Sequence, residues 1–214
     1  MKDKLIIIGA GGHARSVIDI ILQNDNYEII GCIDNSYGQR EFVENMDEIP
    51  IIGNDDMLLE IKNRGIKYCF VALGDNSLRK RIYQSIIQIG FTPINVISKY
   101  ATLSSRVTLG NGICIMAGAI INVNTIIEDN CIINTNCSID HDCIIGMNSH
   151  IAPGVTLSGY VAVGSNVQIG TGACVIDRIS IGENVFIGAG SVVVRNINPG
   201  ILAYGNPARE IRKS

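Results

Sequence analysis

The 214-residue sequence lacks an excess of positive charge. Its 17 lysines and arginines are outnumbered by 20 aspartates and glutamates, which gives a net charge of −3 and a pI near 5.6. Proteins that bind nucleic acid usually present clustered Lys and Arg side chains. The composition therefore argues against a nucleic-acid partner.

The sequence also lacks a long apolar run. No window approaches the roughly 18 apolar residues that are needed to span a bilayer, so we expect no membrane association. The N-terminal "MKDKLIIIGAGGHARS" begins like a signal peptide, but its apolar run ends at Gly9 and Arg15 follows soon after. We expect a cytoplasmic protein whose positive mean hydropathy comes from short buried strands.

The seven cysteines show no tetrahedral metal-ligand cluster. Without an export signal, cysteines are more often reduced core residues than disulfides. Cys131, Cys137 and Cys143 recur at intervals of six residues, which would send the thiols to different corners of a repeating structure. We therefore expect no metal.

The first 96 residues alternate between strand and helix patterns. We predict strands in "KLIII", "YEIIGCID" and "KYCFVALG" and near Pro93 to Ile97, and helices after Gly12, from Asp55 to Arg64 and from Asn76 to Ile89. This alternation favours a parallel sheet with flanking helices, which is a Rossmann-like arrangement. The pattern shows only four strands, fewer than a full dinucleotide-binding fold uses. Such a half-site suits a nucleotide-sugar better than NAD.

Glycine-rich turns follow two of these strands. Gly9, Gly11 and Ala14 fit the dinucleotide fingerprint, and Asp34 lies near the distance at which an acid meets a ribose. Glycines let a phosphate approach the backbone at a helix N-terminus, although a plain tight turn explains them too. His13 could reach a phosphate or sugar, or be a surface histidine.

The second turn, "ALGDNSLRKR", repeats this geometry. Gly74, Asp75 and Asn76 lie at the carboxyl end of the third strand, where open α/β sheets bind ligands. Asn76 or Ser77 could instead simply cap the following helix.

From Leu109 onward an aliphatic residue returns every six positions without a gap. The series comprises Leu109, Ile115, Ile121, Ile127, Ile133, Ile139, Ile145, Ile151, Leu157, Val163, Ile169, Val175, Ile181, Ile187 and Val193. A small or β-branched residue often stands two positions earlier, as at Val107, Thr125, Cys131, Ser149, Val155, Val167 and Val185. Hexapeptide repeats of this kind are typical of parallel β-helices.

With three hexads per coil, outward residues eighteen positions apart stack on one face. The outward set includes Ile120, Ile126, Ile132 and Ile144, which is too apolar for solvent and predicts self-association. His150 is expected on one face between Ile132 and Gln168, and His141 at a corner. The two histidines are half a coil apart, so they could share a site only across neighbouring subunits.

Together, "GAGGHA", "GDNSLRKR", the hexads, "DHD" and "YGNPAR" resemble the bacterial nucleotide-sugar N-acetyltransferases and sialic acid O-acetyltransferases. The resemblance implies a Rossmann-like domain over residues 1–96, a left-handed β-helix over 97–198, a C-terminal tail over 199–214, and a homotrimer. It also implies acetyl-CoA as co-substrate and the acetylation of a UDP- or dTDP-linked 4-amino-4,6-dideoxy sugar.

The resemblance assigns a role to each candidate residue. It makes His141 the catalytic base and Asp142 the acid that orients it. Acetyl-CoA contacts are implied for His150, Gly159, Thr171, Gly188 and Ala189. Contacts to the nucleotide-sugar are implied for Gly11, Gly12, His13, Asp34, Gly74, Asp75 and Asn76.

A protonated amine is not nucleophilic, so a base must accept its proton when it attacks a thioester. Histidine suits this role because its unperturbed pKa lies near neutrality. The alternative to a histidine base is covalent catalysis by Cys137 or Cys143. The alternative to a functional role for "DHD" is a solvated corner of the β-helix. Arg209, Arg212 and Lys213 could contact CoA phosphates or form a charged tail. O-acetylation of sialic acid, and a nucleotide-binding oxidoreductase or sensor trimerised by the β-helix, are the alternative functions.

Overall fold

The computed structural model describes residues 2–39 and 45–211, so Arg212 and Lys213 lie outside the described residues. The chain divides into two compact units, Met1–Val96 and Ile97–Ser214. Within the described ranges, no helix has the length and apolar character that crossing a membrane requires.

The N-terminal unit is a six-stranded sheet with helices between its strands. The strand order is β3-β4-β2-β1-β5-β6. The strands are β1 (Asp3–Ile8), β2 (Tyr27–Ile33), β3 (Asn45–Met46), β4 (Ile49–Gly53), β5 (Tyr68–Val71) and β6 (Thr92–Pro93). The helices are α1 (Gly12–Asn24), α2 (Leu58–Asn63), which follows a 3-10 turn at Asp55–Met57, and α3 (Asn76–Ile89).

The central strand β1 runs parallel to both of its neighbours, β2 and β5, and its four aliphatic residues are at most 1% exposed. Continuous burial on both faces explains why "LIII" shows no alternation of apolar and polar residues. The predicted parallel sheet with helices is confirmed, and α3 has the predicted bounds.

The structure adds an antiparallel hairpin, β3–β4, that the sequence pattern did not predict. Pro50 lies within β4, and proline normally argues against a strand assignment because it has no N–H to donate. The last predicted strand is also divided, since Thr92–Pro93 belongs to this sheet and Val96–Ile97 to a sheet of the second unit.

The second unit is a parallel β-helix with three faces. Face 1 contains β7 (Val96–Ile97), β10 (Cys114–Ile115), β13 (Ile132–Ile133), β16 (His150–Ile151), β19 (Gln168–Ile169), β22 (Phe186–Ile187), β24 (Leu202–Gly205) and β25 (Ala208–Ile211). Face 2 contains β8 (Thr102–Leu103), β11 (Ile120–Ile121), β14 (Ser138–Ile139), β17 (Thr156–Leu157), β20 (Cys174–Val175) and β23 (Val192–Val193). Face 3 contains β9 (Thr108–Leu109), β12 (Ile126–Ile127), β15 (Ile144–Ile145), β18 (Ala162–Val163) and β21 (Ser180–Ile181).

Strands 18 residues apart pair in parallel, as Ile126 does with Ile144, which confirms three hexads per coil. The aliphatic series from Ile115 to Val193 is at most 2% exposed. Each such side chain contributes roughly 1.5–3 kcal/mol through the apolar surface that it buries. Strands of only two residues are therefore held by the stacking of coils.

The outward apolar positions differ in exposure, and Ile132 is buried although it is not part of the apolar core of the β-helix. Ile120, Ile126 and Ile144 are 45%, 41% and 46% exposed, whereas Ile132 on face 1 is 1% exposed. Its neighbour in the same column, Cys114, is fully buried as well. Ile120 on face 2 and Ile126 and Ile144 on face 3 are thus exposed apolar positions, as is Phe186 on face 1, at 44%.

Candidate active site

His141 lies at the corner between β14 and β15, where faces 2 and 3 meet. Its side chain is 43% exposed, and its Nδ1 lies 2.8 Å from Oδ2 of Asp142. A carboxylate can only accept a hydrogen bond, so this contact places the imidazole proton on Nδ1. Nε2 then carries the lone pair that a proton acceptor requires.

Asp142 is held from a second side. The amide of Asn124, one coil earlier, donates to Oδ1 of Asp142 over 3.0 Å. Hydrogen bonds from Asn124 and from His141 lower the pKa of Asp142 below its ordinary value. The pair is therefore a histidine beside an ionised carboxylate.

Gly159, one coil after His141, leaves the space that the imidazole occupies. A Cβ at this position would lie 2.7 Å from Cε1 and 2.8 Å from Nε2 of His141. The ring of Tyr160 stands at 89° to the imidazole, with 5.2 Å between the ring centroids. The histidine is thus bounded by a glycine, an aromatic ring and a carboxylate.

His150 lies on face 1, between Ile132 and Gln168, as the register predicts. Its Nε2 is 3.1 Å from the side-chain nitrogen of Asn134. Asn134 Oδ1 accepts from the backbone N–H of Thr135, which fixes the orientation of the amide. Nε2 of His150 therefore accepts a hydrogen bond, and the ring proton is on Nδ1.

Sequence reasoning missed Asn134. The repeat gave one indication of its role. Asn134 directly follows the inward residue Ile133, and the position in register with it on the next coil, Ala152, is close in sequence to His150.

Apart from His150 on face 1, the predicted acetyl-CoA residues fall on two corners of the single chain. Gly159 lies beside His141, whereas Thr171, Gly188 and Ala189 lie at the corner between faces 1 and 2. Backbone hydrogen bonds hold that second corner, including Gly190 N–H to Thr171 O and Gly188 N–H to Ala203 O, both at 2.8 Å.

The N-terminal unit contains a cleft of about 120 Å³ at the carboxyl ends of β1, β2 and β5. Its walls are mostly apolar, with two carboxylates and one amide among them. The lining residues are Ile8, Gly9, Ile33, Asp34, Asn35, Asp55, Leu73, Leu78 and Ile82. Open α/β sheets bind ligands at this edge.

The glycine-rich turn borders this cleft. Gly9 has a φ of +110°, and a Cβ there would lie 2.9 Å from the carbonyl oxygen of Ala72. Around Gly11 and Gly12, by contrast, a Cβ would meet no atom within 4 Å. Gly9 therefore serves the turn, while the other two leave open space at the N-terminus of α1.

Asp34 braces the same turn. Its Oδ2 accepts from the backbone N–H of Ala10 and its Oδ1 from that of Ser36, each over 2.9 Å. The acid that the fingerprint assigned to a ribose thus already orients the glycine-rich backbone.

His13 and Arg79 are close enough for the charge of one to affect the other. Burial, followed by the charge of Arg79, lowers the pKa of His13 from 6.5 to about 4. Among the described residues, no hydrogen-bond partner reaches the buried Nε2 of His13. Arg79, only 1% exposed, donates to the carbonyl oxygens of Leu73 and Gly74 and to Oδ1 of Asn76. Sequence reasoning missed Arg79, which shares the buried stripe of α3.

The cap of α3 is neither of the two residues that the sequence offered as capping alternatives. Asp75, rather than Asn76 or Ser77, precedes the helix, and its carboxylate accepts from the N–H of Leu78 over 2.7 Å. Asp75 is therefore the capping residue, since a carboxylate also interacts favourably with the helix dipole.

Cys137 and Cys143 are fully buried, as their inward positions predict. Burial raises the pKa of each thiol to about 11. Because the thiolate is the nucleophile, this environment does not suit covalent catalysis. Over the described ranges, no group of three or more His, Cys, Asp or Glu side chains is arranged to hold a metal ion.

Two protein families match the chain. The PglD N-terminal domain matches residues 4–86, and the bacterial transferase hexapeptide, a unit of six repeats, matches residues 124–159 and 160–195. An uncharacterized protein, L142 of Acanthamoeba polyphaga mimivirus, is 37% identical over 102 residues, which are 47% of this chain and 19% of that protein.

Solved structures resemble the chain over almost its whole length. PerB from Caulobacter crescentus, in complex with CoA and GDP-perosamine, is 36% identical with a TM-score of 0.92, covering 98% of this chain and 97% of that one. The acetyltransferase domain of PglB from Neisseria gonorrhoeae, in complex with acetyl coenzyme A, is 33% identical with a TM-score of 0.91, covering 99% and 100%. WeeI from Acinetobacter baumannii, 21% identical with a TM-score of 0.85 and coverage of 98% and 100%, shares the fold.

The domain pairing, the β-helix and the full-length similarity agree with one another, and on this evidence the chain belongs to the bacterial nucleotide-sugar acetyltransferases, enzymes that join a PglD-type N-terminal domain to hexapeptide repeats.

Proposed function

We propose that the protein transfers the acetyl group of acetyl-CoA to the amino group of a nucleotide-linked 4-amino-4,6-dideoxy sugar. The observation that carries this proposal is the 2.8 Å contact between His141 Nδ1 and Asp142, which leaves Nε2 to accept the amine proton. The Caulobacter relative supports it, because that enzyme was solved with CoA and an amino-sugar nucleotide.

Two further structures of the Caulobacter enzyme carry H141N and H141A in that protein's own numbering, each in complex with CoA and GDP-perosamine. In that enzyme, the loss of a histidine therefore leaves both ligands bound. This behaviour fits a residue that acts in the chemical step rather than in binding.

In the proposed reaction, His141 accepts a proton from the amine as the nitrogen bonds to the thioester carbonyl carbon. The carbon–sulfur bond then breaks, and the imidazolium returns the proton to the departing sulfur, which releases CoA and restores the base. Asp142 stabilises the imidazolium that forms. Direct transfer requires no acyl-enzyme, because binding both substrates in one cleft supplies the proximity. On face 1, Asn134 holds the ring of His150, which would contact acetyl-CoA.

The proposed enzyme is a homotrimer. His141 lies at the corner opposite face 1, which carries His150, so one chain does not bring the two side chains to the same side of the β-helix. The exposed Ile126 and Ile144 stack on face 3, beside His141, and offer an apolar surface to a neighbouring copy.

The cleft of the N-terminal unit would hold the nucleotide. Its apolar walls suit a nucleobase, and the open N-terminus of α1 suits a diphosphate. We expect UDP or dTDP, and the Caulobacter relative adds GDP to the nucleotides that need testing.

The test is thiol release from acetyl-CoA with UDP-, dTDP- and GDP-linked amino sugars, each beside a matched sugar with a hydroxyl in place of the amine. We expect release with an amine substrate, and a turnover lowered by about 10²–10⁴ in His141→Ala, the usual effect of removing a positioned base. Release with sialic acid instead would establish the O-acetyltransferase alternative. No release with any amine, together with NAD(P) binding, would favour the oxidoreductase or sensor.

A further inference from the structure

We propose that Asn124, which binds Asp142, and Tyr160, whose ring contacts His141, are positioning residues that hold the His141–Asp142 pair in the geometry of proton transfer. The inference rests on the proposed function, since it concerns the same base. Both residues lie one coil away from Asp142, on opposite sides of it along the β-helix.

The three residues occupy one corner column, which continues to Arg178. Asn124, Asp142, Tyr160 and Arg178 are 18 positions apart, with φ values of 60°, 57°, 61° and 60°. Asn124 binds Oδ1 of Asp142 and His141 binds Oδ2, so each carboxylate oxygen has its own partner. The carboxylate cannot rotate without losing one of these two hydrogen bonds.

Tyr160 has a backbone conformation that large side chains rarely adopt. Left-handed φ values suit Gly and Asn, and a bulky residue there is strained. Outside this column, the described left-handed positions of the β-helix are all Asn or Gly. Strain of this kind persists where the surrounding structure maintains it, and it is concentrated at functional sites.

The contacts of Tyr160 explain why a strained residue is kept at this corner. Its ring meets the imidazole edge to face, and its backbone N–H donates to His141 O over 3.0 Å. The guanidinium of Arg178 lies 5.0 Å from the centroid of the same ring, within the range of a cation–π contact. Hydrogen bonds from Asn124, from His141 and from Tyr160 lower the pKa of Asp142.

The contacts from Asn124 and Tyr160 restrict two side chains that would otherwise be free to move. His141 and Asp142 are adjacent on a turn, and their side chains are 43% and 30% exposed. Such a pair keeps rotamer freedom unless neighbouring groups restrict it, and small displacements of a catalytic group are costly. Neighbours on the coils before and after restrict it from both sides.

The first test compares two matched variants. Asn124→Gly removes the amide but keeps a residue that suits a left-handed corner. The control, Asn166→Gly, makes the same change at a corner with a φ of 59°, where the amide binds Asn184 over 3.2 Å. We expect Asn124→Gly to lower kcat about tenfold with both KM values unchanged, as for an interaction made only in the transition state. Asn166→Gly should leave kcat unchanged. Equal losses in the two variants would show that corner stability is the cause and would overturn the proposal.

A double-mutant cycle then asks whether Asn124 acts through Asp142. In an Asp142→Asn background, Asn124→Gly should cost little further activity, because the carboxylate that it positions is already absent. The same tenfold loss in both backgrounds would contradict the proposal.

Tyr160→Asn installs the residue that other corners use. We expect the thermal transition to stay the same or rise while kcat falls about tenfold. A lower thermal transition with an unchanged kcat would assign Tyr160 to folding alone.

Imidazole ¹⁵N NMR supplies a readout that does not depend on turnover. The Nδ1–H tautomer of His141 should be well defined in the unaltered protein and in Asn166→Gly, and mixed in Asn124→Gly. Unaltered spectra in Asn124→Gly would refute the positioning role. Failure of acetyl transfer by the unaltered enzyme would instead count against the proposed function.

Discussion

At the scale of single residues, the two units use histidine in different ways. His141 is half exposed beside a carboxylate, whereas His13 is mostly buried beside the guanidinium of Arg79. Burial beside a cation favours the neutral ring of His13. The side chain at the glycine-rich turn is therefore kept neutral.

His13 makes the stability of the N-terminal unit depend on pH. Its pKa is about 4 in the folded protein against 6.5 when unfolded, so its contribution is complete above about pH 6.5 and is lost as the pH falls toward 4. Between pH 7 and pH 5 this linkage removes about 2 kcal/mol of unfolding free energy.

Urea unfolding followed by helical circular dichroism measures this change, because all the described helices lie in the N-terminal unit. His13→Gln should reduce the loss between pH 7 and pH 5 by about 2 kcal/mol. Parallel pH dependence in the two proteins would show that His13 does not titrate in this way.

Residues of the candidate site differed in how far the sequence could predict them. His141 and His150 fell at the predicted corner and face because the register follows from the six-residue period alone. The support from Asn124 and Gly159 depends on contacts between successive coils. The six-residue period predicts which residues are neighbours on those coils, but not which side-chain contacts they make. Arg79 was missed because a helix pattern gives no sign that a charged side chain is buried.

At the scale of elements, the β-helix was predictable and one hairpin was not. Two-residue strands have too little sequence to specify themselves, but fifteen successive aliphatic positions with one period specify the stack. The hairpin β3–β4 has no such repetition, and Pro50 conceals it. Regularity, rather than local propensity, made the second unit the more predictable.

The stacking of coils also places a glycine under the catalytic candidate. In Gly159→Ala the new Cβ would lie 2.7 Å from the imidazole, so the ring of His141 would have to shift from its present position. We expect a loss of activity of about tenfold or more, since proximity and orientation are sensitive to shifts of about 1 Å. Initial rates with saturating substrates measure this loss.

The matched control for this variant is Gly159→Ala in a His141→Ala background. There the imidazole is absent and the Cβ fits, so the second substitution should change neither the residual activity nor the thermal transition. An equal activity loss in both backgrounds would show that Gly159 acts independently of His141, as a direct contact to acetyl-CoA would.

At the scale of the whole molecule, the placement of the histidines constrains the assembly. Face 1 and the corner of His141 lie on opposite sides of a three-faced β-helix. In the proposed cyclic trimer, the corner of one copy would lie against face 1 of the next, because head-to-tail contacts close into a ring. Each proposed site then contains His141 from one subunit and His150 from another.

Mixed trimers test this arrangement. His141→Ala and His150→Ala proteins should each be nearly inactive alone, but in a random mixture about a quarter of the subunit junctions pair the two intact histidines. Co-expression with two affinity tags, followed by isolation of the mixed species, should therefore recover a substantial fraction of the wild-type rate. Activity no higher than the mean of the two variants would mean that each site is built within one chain.

The apolar face supplies the control for that experiment. Ile126→Asp places a charge on face 3, where Ile126 is 41% exposed and stacks on Ile144, and it should lower the sedimentation coefficient toward that of a monomer. Leu22→Asp is the matched change, since Leu22 is 55% exposed on α1, outside the β-helix, and should leave the assembly intact. Added to both partners of the mixture, Ile126→Asp should abolish the recovered activity, because a site shared between subunits cannot survive their separation.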